Sequence, residues 1–194
     1  MLKDLVLRNR SYRKFHFDKK VEVHELMQLV DLARLTPSSK NRQPLKYILV
    51  TDPEDSHFVF KHLKWAWFLK HWNGPASHEQ PPAYVILALD KAINEQADID
   101  AGIVSQTILL GATEMDMGGC IIRTVNRYEL KKYFQLPDSY EIILVMAIGY
   151  PNQQIRLSEV KPDGETQYFE EPGGVHVVPK RSLDDLIILP KSKG

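Results

Sequence analysis

The chain has 194 residues, 25 basic and 25 acidic, and is 43% hydrophobic. That is enough for one domain with a real core, and zero net charge gives no electrostatic drive toward nucleic acid or anionic membrane. A single cysteine, Cys120, excludes an intrachain disulfide and a zinc site built on several thiolates.

The start, Met1 to Leu5, is amphipathic and lacks the apolar core of a signal peptide, and no apolar run is long enough to span a bilayer, so a reducing, cytoplasmic location is expected. Leu2, Leu5 and Val6 form a short helical stripe that ends near Asn9-Arg10-Ser11. Val23, Leu26, Met27, Val30 and Ala33 keep helical spacing in a second helix, which Pro37 stops. After a polar loop, Tyr47-Ile48-Leu49-Val50 reads as a buried strand closed by Asp52-Pro53. Residues 54–72 are expected to be helical, with Trp65 and Trp72 on one face and Trp67 pointing elsewhere, up to the breaker Gly74-Pro75. Ala83 to Leu89 is apolar at nearly every position, the pattern of a central strand covered on both faces.

The longest predicted helix runs from Asp98 to Met117, with Asp98 and Asp100 suited to its positive end. Its apolar residues cover most of the circumference, so it is expected inside a large core or in a subunit interface. Gly118-Gly119 is read as its end, Cys120-Ile121-Ile122 as another strand, and 142–148 as a further buried strand stopped by Gly149-Tyr150-Pro151. From Asn152 onward the chain is polar and rich in Pro and Gly, then ends in the strand-like run Leu186-Ile187-Ile188-Leu189. Such a tail either docks on a partner subunit or folds along its own surface; the first reading is preferred. The 194 residues are thus expected to form a single domain, with 152–194 as a C-terminal arm.

Several groups could carry chemistry. Arg10 and Arg13 are three apart and flank Ser11; together they could grip a phosphate, or simply form a solvated basic surface with Arg8, Lys14, Lys19 and Lys20. The loop Pro37 to Pro44 offers Ser38, Ser39 and Asn41 to a polar ligand, or merely terminates a helix. Gly118-Gly119 admits close backbone approach but reads more simply as a helix C-cap. Cys120 reads as a buried thiol. The seven histidines show no metal spacing, and no metal site is expected. The tryptophan-rich segment is either core or a cover over an aromatic ligand. Lys180-Arg181 adds cations near the chain end.

In order, Arg10-Ser11-x-Arg13-x-Phe15, Pro37-Ser38-Ser39-x-Asn41-x-Gln43-Pro44, Gly102-x-x-x-Gln106 with Leu109-Leu110, Gly119-Cys120, Gly149-Tyr150-Pro151 and Pro179-Lys180-Arg181 resemble the nitroreductase-like family of FMN flavoproteins. The resemblance spans nearly the whole chain. It implies an α+β fold with a mixed, largely antiparallel sheet wrapped by helices, in a homodimer that exchanges C-terminal segments and holds two FMN sites at its interface. It implies an oxidoreductase in which NADH or NADPH reduces FMN, which then passes electrons to a nitroaromatic, quinone or related small acceptor in ping-pong fashion. A flavin-binding or flavin-storing protein without turnover is the alternative.

By position, the resemblance puts Arg10 and Ser11 at the FMN phosphate and ribityl end, and Arg13 near the N1 and O2 edge, where a cation stabilises the charge that reduction creates. It gives Ser38, Ser39 and Asn41 to the phosphate, ribityl chain or ring. It brings the backbone at Ile122 and Arg123 toward N5, and Lys180 and Arg181 to the phosphate. Asn9, Leu45 and Arg123 stand where the family commonly has arginine, tryptophan and glycine; Arg8 is the candidate to replace the missing cation.

Overall fold

Strand β2 (Ala83–Asp90) shows why the chain forms layers. Every residue but the last is apolar, and all seven are buried, so both faces of the strand must be covered by other elements. In the computed structural model, which describes residues 1–66, 68–69 and 72–190, β2 lies at the centre of an antiparallel sheet of order β1-β2-β4-β3. Its other strands are β1 (Leu45–Val50), β3 (Gly118–Ile122) and β4 (Tyr140–Gly149).

Two apolar clusters cover the two faces. On one, α2 (Val23–Arg34) and α4 (Asp98–Glu114) meet Val85, Leu87, Leu144, Met146 and Ile148 through Leu26, Leu29, Val104 and Ile108. On the other, Val59 of α3 (Pro53–Lys61) and Leu130 of α5 (Arg127–Tyr133) pack with Tyr84, Ile86, Ile142, Val145 and Ala147. The alternation along β4 breaks at Ile143, an extra residue opposite the Leu87–Ala88 step, which is a β-bulge. A short α1 (Leu2–Arg8) precedes the motif at residue 10. The sequence expectation of a mixed helix-and-sheet fold with a mainly antiparallel sheet is therefore met, with five helices among the described residues.

The chain divides into two compact units. The first comprises 1–66 and 72–152; the second contains 153–190 with Phe68 and Leu69. The second unit has a three-stranded sheet, β5 (Ile155–Glu159), β6 (Phe169–Glu170) and β7 (His176–Lys180). In it β7 is central, parallel to β5 and antiparallel to β6. Tyr168 packs edge-on to Phe68 at 5.3 Å and lies 5.1 Å from His176.

Three expectations need correction. The helix after Asp52 ends at Lys61 rather than near residue 72, because the chain then turns to pair Leu63 with Val125, and the Lys64 amide donates to the Thr124 carbonyl at 3.0 Å. Trp65 is buried among Phe60 and the second cluster and Trp72 packs on that cluster, while Trp67 lies outside the described residues. Gly118 and Gly119 do not cap α4: the helix ends at Glu114, Asp116 makes the turn at φ 57°, and both glycines are already in β3. Finally, Leu186 to Leu189 forms no strand and is exposed; the strands of the second unit lie upstream of it.

Candidate functional site

The predicted residues of the first unit fall into two groups at opposite ends of α4. The first group is the stretch after α1. Ser11 makes a parallel bridge to Gly119, and the Tyr12 amide donates to the Gly119 carbonyl at 3.0 Å. The segment can lie there only because residue 118 has no side chain: a Cβ there would sit 2.6 Å from the Tyr12 ring and 2.9 Å from Pro151. A Cβ on Gly119 would instead meet β4 and α4, 2.3 Å from the Ala147 carbonyl oxygen and 2.7 Å from a Leu109 methyl. Phe15, fully buried, anchors the far side of the stretch and bridges to Pro151.

This seating fixes the cations. The Arg10 Nη2 donates to the Val6 carbonyl at 2.5 Å, whereas its Nε is buried without an acceptor. A buried guanidinium nitrogen lacking an acceptor is costly, and an anionic oxygen beside Arg10 and Ser11 would satisfy it. Arg13 Nη1 donates to the Ser11 carbonyl at 3.1 Å. Its charge reaches Cys120: burial pushes the Cys120 thiol up, against a smaller opposing pull from Arg13. Cys120 is thus a protonated core thiol, as its surroundings in the sequence indicate. Arg8 pairs with Asp116 at 3.2 Å on the surface. On the same edge of the sheet, Ile122 is buried and paired with Val145, and Arg123 is exposed where β3 ends.

The second group is the loop before β1. Ser38 donates its hydroxyl to Asp100 at 2.5 Å, and the Ser39 amide donates to the other oxygen of that carboxylate at 3.1 Å. Ser38 Oγ also accepts the Gln43 amide at 3.0 Å, and Gln43 Nε2 donates to Asn41 Oδ1 at 3.1 Å. Lys40, Asn41 and Gln43 all have φ near 50°, a region that costs most side chains about 1 kcal/mol or more. Asp100, only 4% exposed, is what holds the loop in that shape. The sequence marks Asp100 as a favourable helix start but carries no signal that it would bind a loop 62 positions away. Ser38, Gln43, Tyr47 and Asp100 line a pocket of about 200 Å³. A second cavity of about 620 Å³, between residues 17–22, the start of α3 and 77–82, contains none of the predicted residues.

Asp100 and Glu114 are separated by fourteen residues of α4, roughly 20 Å at 1.5 Å per residue. The sheet agrees: β1 and β3 are its opposite edges, and Ser11 lies outside β3. Within one chain, Arg10 and Ser38 cannot touch the same phosphate. Lys180 closes β7 and Arg181 follows it, both exposed, in the second unit.

Comparison with known proteins finds relatives that share the fold. The chain is 24% identical over 157 residues to a candidate NADH dehydrogenase/NAD(P)H nitroreductase of Archaeoglobus fulgidus, covering 77% of this chain and 85% of the relative. An FMN-dependent nitroreductase of Clostridium difficile superposes with a TM-score of 0.64 at 25% identity, over 77% of this chain and 87% of that one. A nitroreductase-like protein of Exiguobacterium sibiricum, solved in complex with FMN, shares the fold with a TM-score of 0.67 at 17% identity, over 79% of this chain and 89% of its own. The family model for nitroreductases matches residues 6–150, a span that holds both residue groups and the entire four-stranded sheet. The chain therefore belongs to the nitroreductase family.

Proposed function

We propose that this protein is a homodimeric, FMN-dependent oxidoreductase that takes electrons from NADH or NADPH and delivers them to a small nitroaromatic, quinone or related acceptor. One observation carries most weight: the buried Arg10 Nε has no acceptor beside Ser11, in a segment whose seat against β3 needs a glycine at 118. FMN supplies the hydride and electron chemistry; the chain supplies position and charge.

In this reading Arg10 and Ser11 bind the phosphate and ribityl end, while Arg13 faces the N1 and O2 edge and favours the charge that appears there on reduction. The Ile122–Arg123 backbone borders N5. Ser38, Ser39 and Asn41 serve the cofactor from the opposite subunit, since within one chain they lie at the other end of α4 from Arg10. Residues 152–194 act as an arm onto the partner and bring Lys180 and Arg181 to the phosphate.

The visible spectrum of purified protein is the first test, followed by anaerobic titration. Flavin absorbance, bleaching by NADH or NADPH and recolouring by a quinone are expected. Coloured protein that neither nicotinamide bleaches would be a flavin-binding protein without turnover. Protein that stays colourless after incubation with FMN would remove both readings.

A further inference from the structure

Strand β3 stops at Ile122, opposite Val145, whereas β4 extends back to Tyr140. The backbone that leaves β3 must still satisfy its polar groups, and so must the bulge at Ile143. A single side chain meets both needs. Arg127 Nε donates to the Ile142 carbonyl at 2.8 Å, and Nη2 donates to the carbonyls of Ile143 and Arg123, each at 3.0 Å. Nη1 reaches the Val125 carbonyl at 3.5 Å. The guanidinium thus replaces the missing ladder with its fixed fork of donors. Asn126, whose side chain caps α5, sets the start of the helix that carries Arg127.

The departing segment is gripped from its other side as well. The Thr124 carbonyl accepts the Lys64 amide at 3.0 Å, and the Asn126 amide donates to the His62 carbonyl at 2.9 Å. With Ile122 buried at one end, the peptide planes from 122 to 126 have little freedom, and the Arg123 peptide is set by Arg127.

We infer that Arg127 is a positioning residue for the flavin reaction. Its clamp on the β4 bulge and on the Arg123 carbonyl fixes the Ile122–Arg123 backbone that borders the reacting edge of the cofactor. The inference rests on the FMN reading above. Arg127 touches neither cofactor nor substrate in this role; it acts through the peptide it holds. Lysine cannot replace it, because one ammonium cannot span carbonyls on both strands in the same plane.

The test uses full-length, FMN-loaded protein with Arg127→Ala, Arg127→Gln and Arg127→Lys. Four quantities are measured: FMN affinity, the flavin midpoint potential, the rate of flavin reduction by the nicotinamide, and amide exchange over 122–126. In Arg127→Ala, FMN affinity should stay within about threefold. Exchange should quicken and reduction should slow by about tenfold or more, since small misplacements near a reacting centre cost that much. The potential should move from the wild-type value, and Arg127→Lys should recover only part of each change. A folded Arg127→Ala with lowered thermal stability but wild-type potential and reduction rate would make Arg127 merely structural and overturn the inference. If Arg127→Ala does not fold, Arg127→Gln and Arg127→Lys decide by the same readouts, and wild-type values in both overturn it. Failure of the FMN reading looks different: the wild-type protein itself then takes up no FMN or is not reduced.

Discussion

At the residue scale, backbone carbonyls help orient the two arginines after α1: Arg13 donates to the Ser11 carbonyl and Arg10 to the Val6 carbonyl. Arg13→Ala is expected to weaken FMN binding about tenfold or more, as loss of a charge-assisted contact does, and to slow flavin reduction. FMN titration and stopped-flow reduction check this; full cofactor retention with unchanged reduction would remove Arg13 from the site. Gly119→Ala should cost about 1–3 kcal/mol of stability, the usual effect of forcing extra atoms into a filled space. The added methyl meets a backbone oxygen, which cannot swing aside as a side chain would. Urea unfolding checks it, and a variant as stable as wild type would mean that the packing of β3 against Ala147 and Leu109 is looser than it looks.

At the element scale, the sequence states plainly whatever depends on burial pattern. β2 reads as central because it is apolar at seven successive positions, and α4 reads as deeply packed because its apolar residues go round the helix. What stays hidden depends on partners far along the chain. The segment from His62 has helical spacing, yet tertiary pairing with 124–126 overrides it. Gly118-Gly119 looks like a cap because the turn residue, Asp116, lacks the usual glycine signature. The loop at 38–43 is recognisable as polar, but its anchor Asp100 is not. Tyr47 gives this region a pH signature. Burial, helped by the charge of Asp100, pushes its phenol up to about 12 from 10.0. The unfolded chain loses that proton first, so stability is full below pH 10 and falls as the pH climbs toward 12. Tyr47→Phe should flatten this part of an alkaline unfolding profile; an unaltered slope above pH 10 would show that Tyr47 ionises freely in the folded protein.

At the scale of the whole molecule, the four-stranded sheet and its helices form one unit and the strands after Asn152 another. The apolar side chains of Leu183, Leu186, Ile187, Ile188 and Leu189 are exposed, the last two at 93% and 80%. Apolar clustering of this kind is characteristic of an interaction surface, in keeping with the proposed arm. Removing residues from Pro179 onward is expected to release FMN and weaken the dimer. Sedimentation combined with flavin absorbance checks both at once; a fully loaded, intact dimer after truncation would exclude the arm.

The length of α4 has a genetic consequence. If Arg13 of one chain and Asn41 of the other serve the same flavin, chains broken at different ends can rescue each other. Mixing and reassembling Arg13→Ala and Asn41→Ala subunits should produce hybrids with one intact site and one doubly damaged site. With random exchange half the dimers are hybrids, so about a quarter of all sites should recover wild-type flavin binding. Neither parent should gain anything by reassembly alone. Recovery that never rises above the parental average would mean that each chain builds its site by itself, and that the helix between the two clusters separates unrelated features.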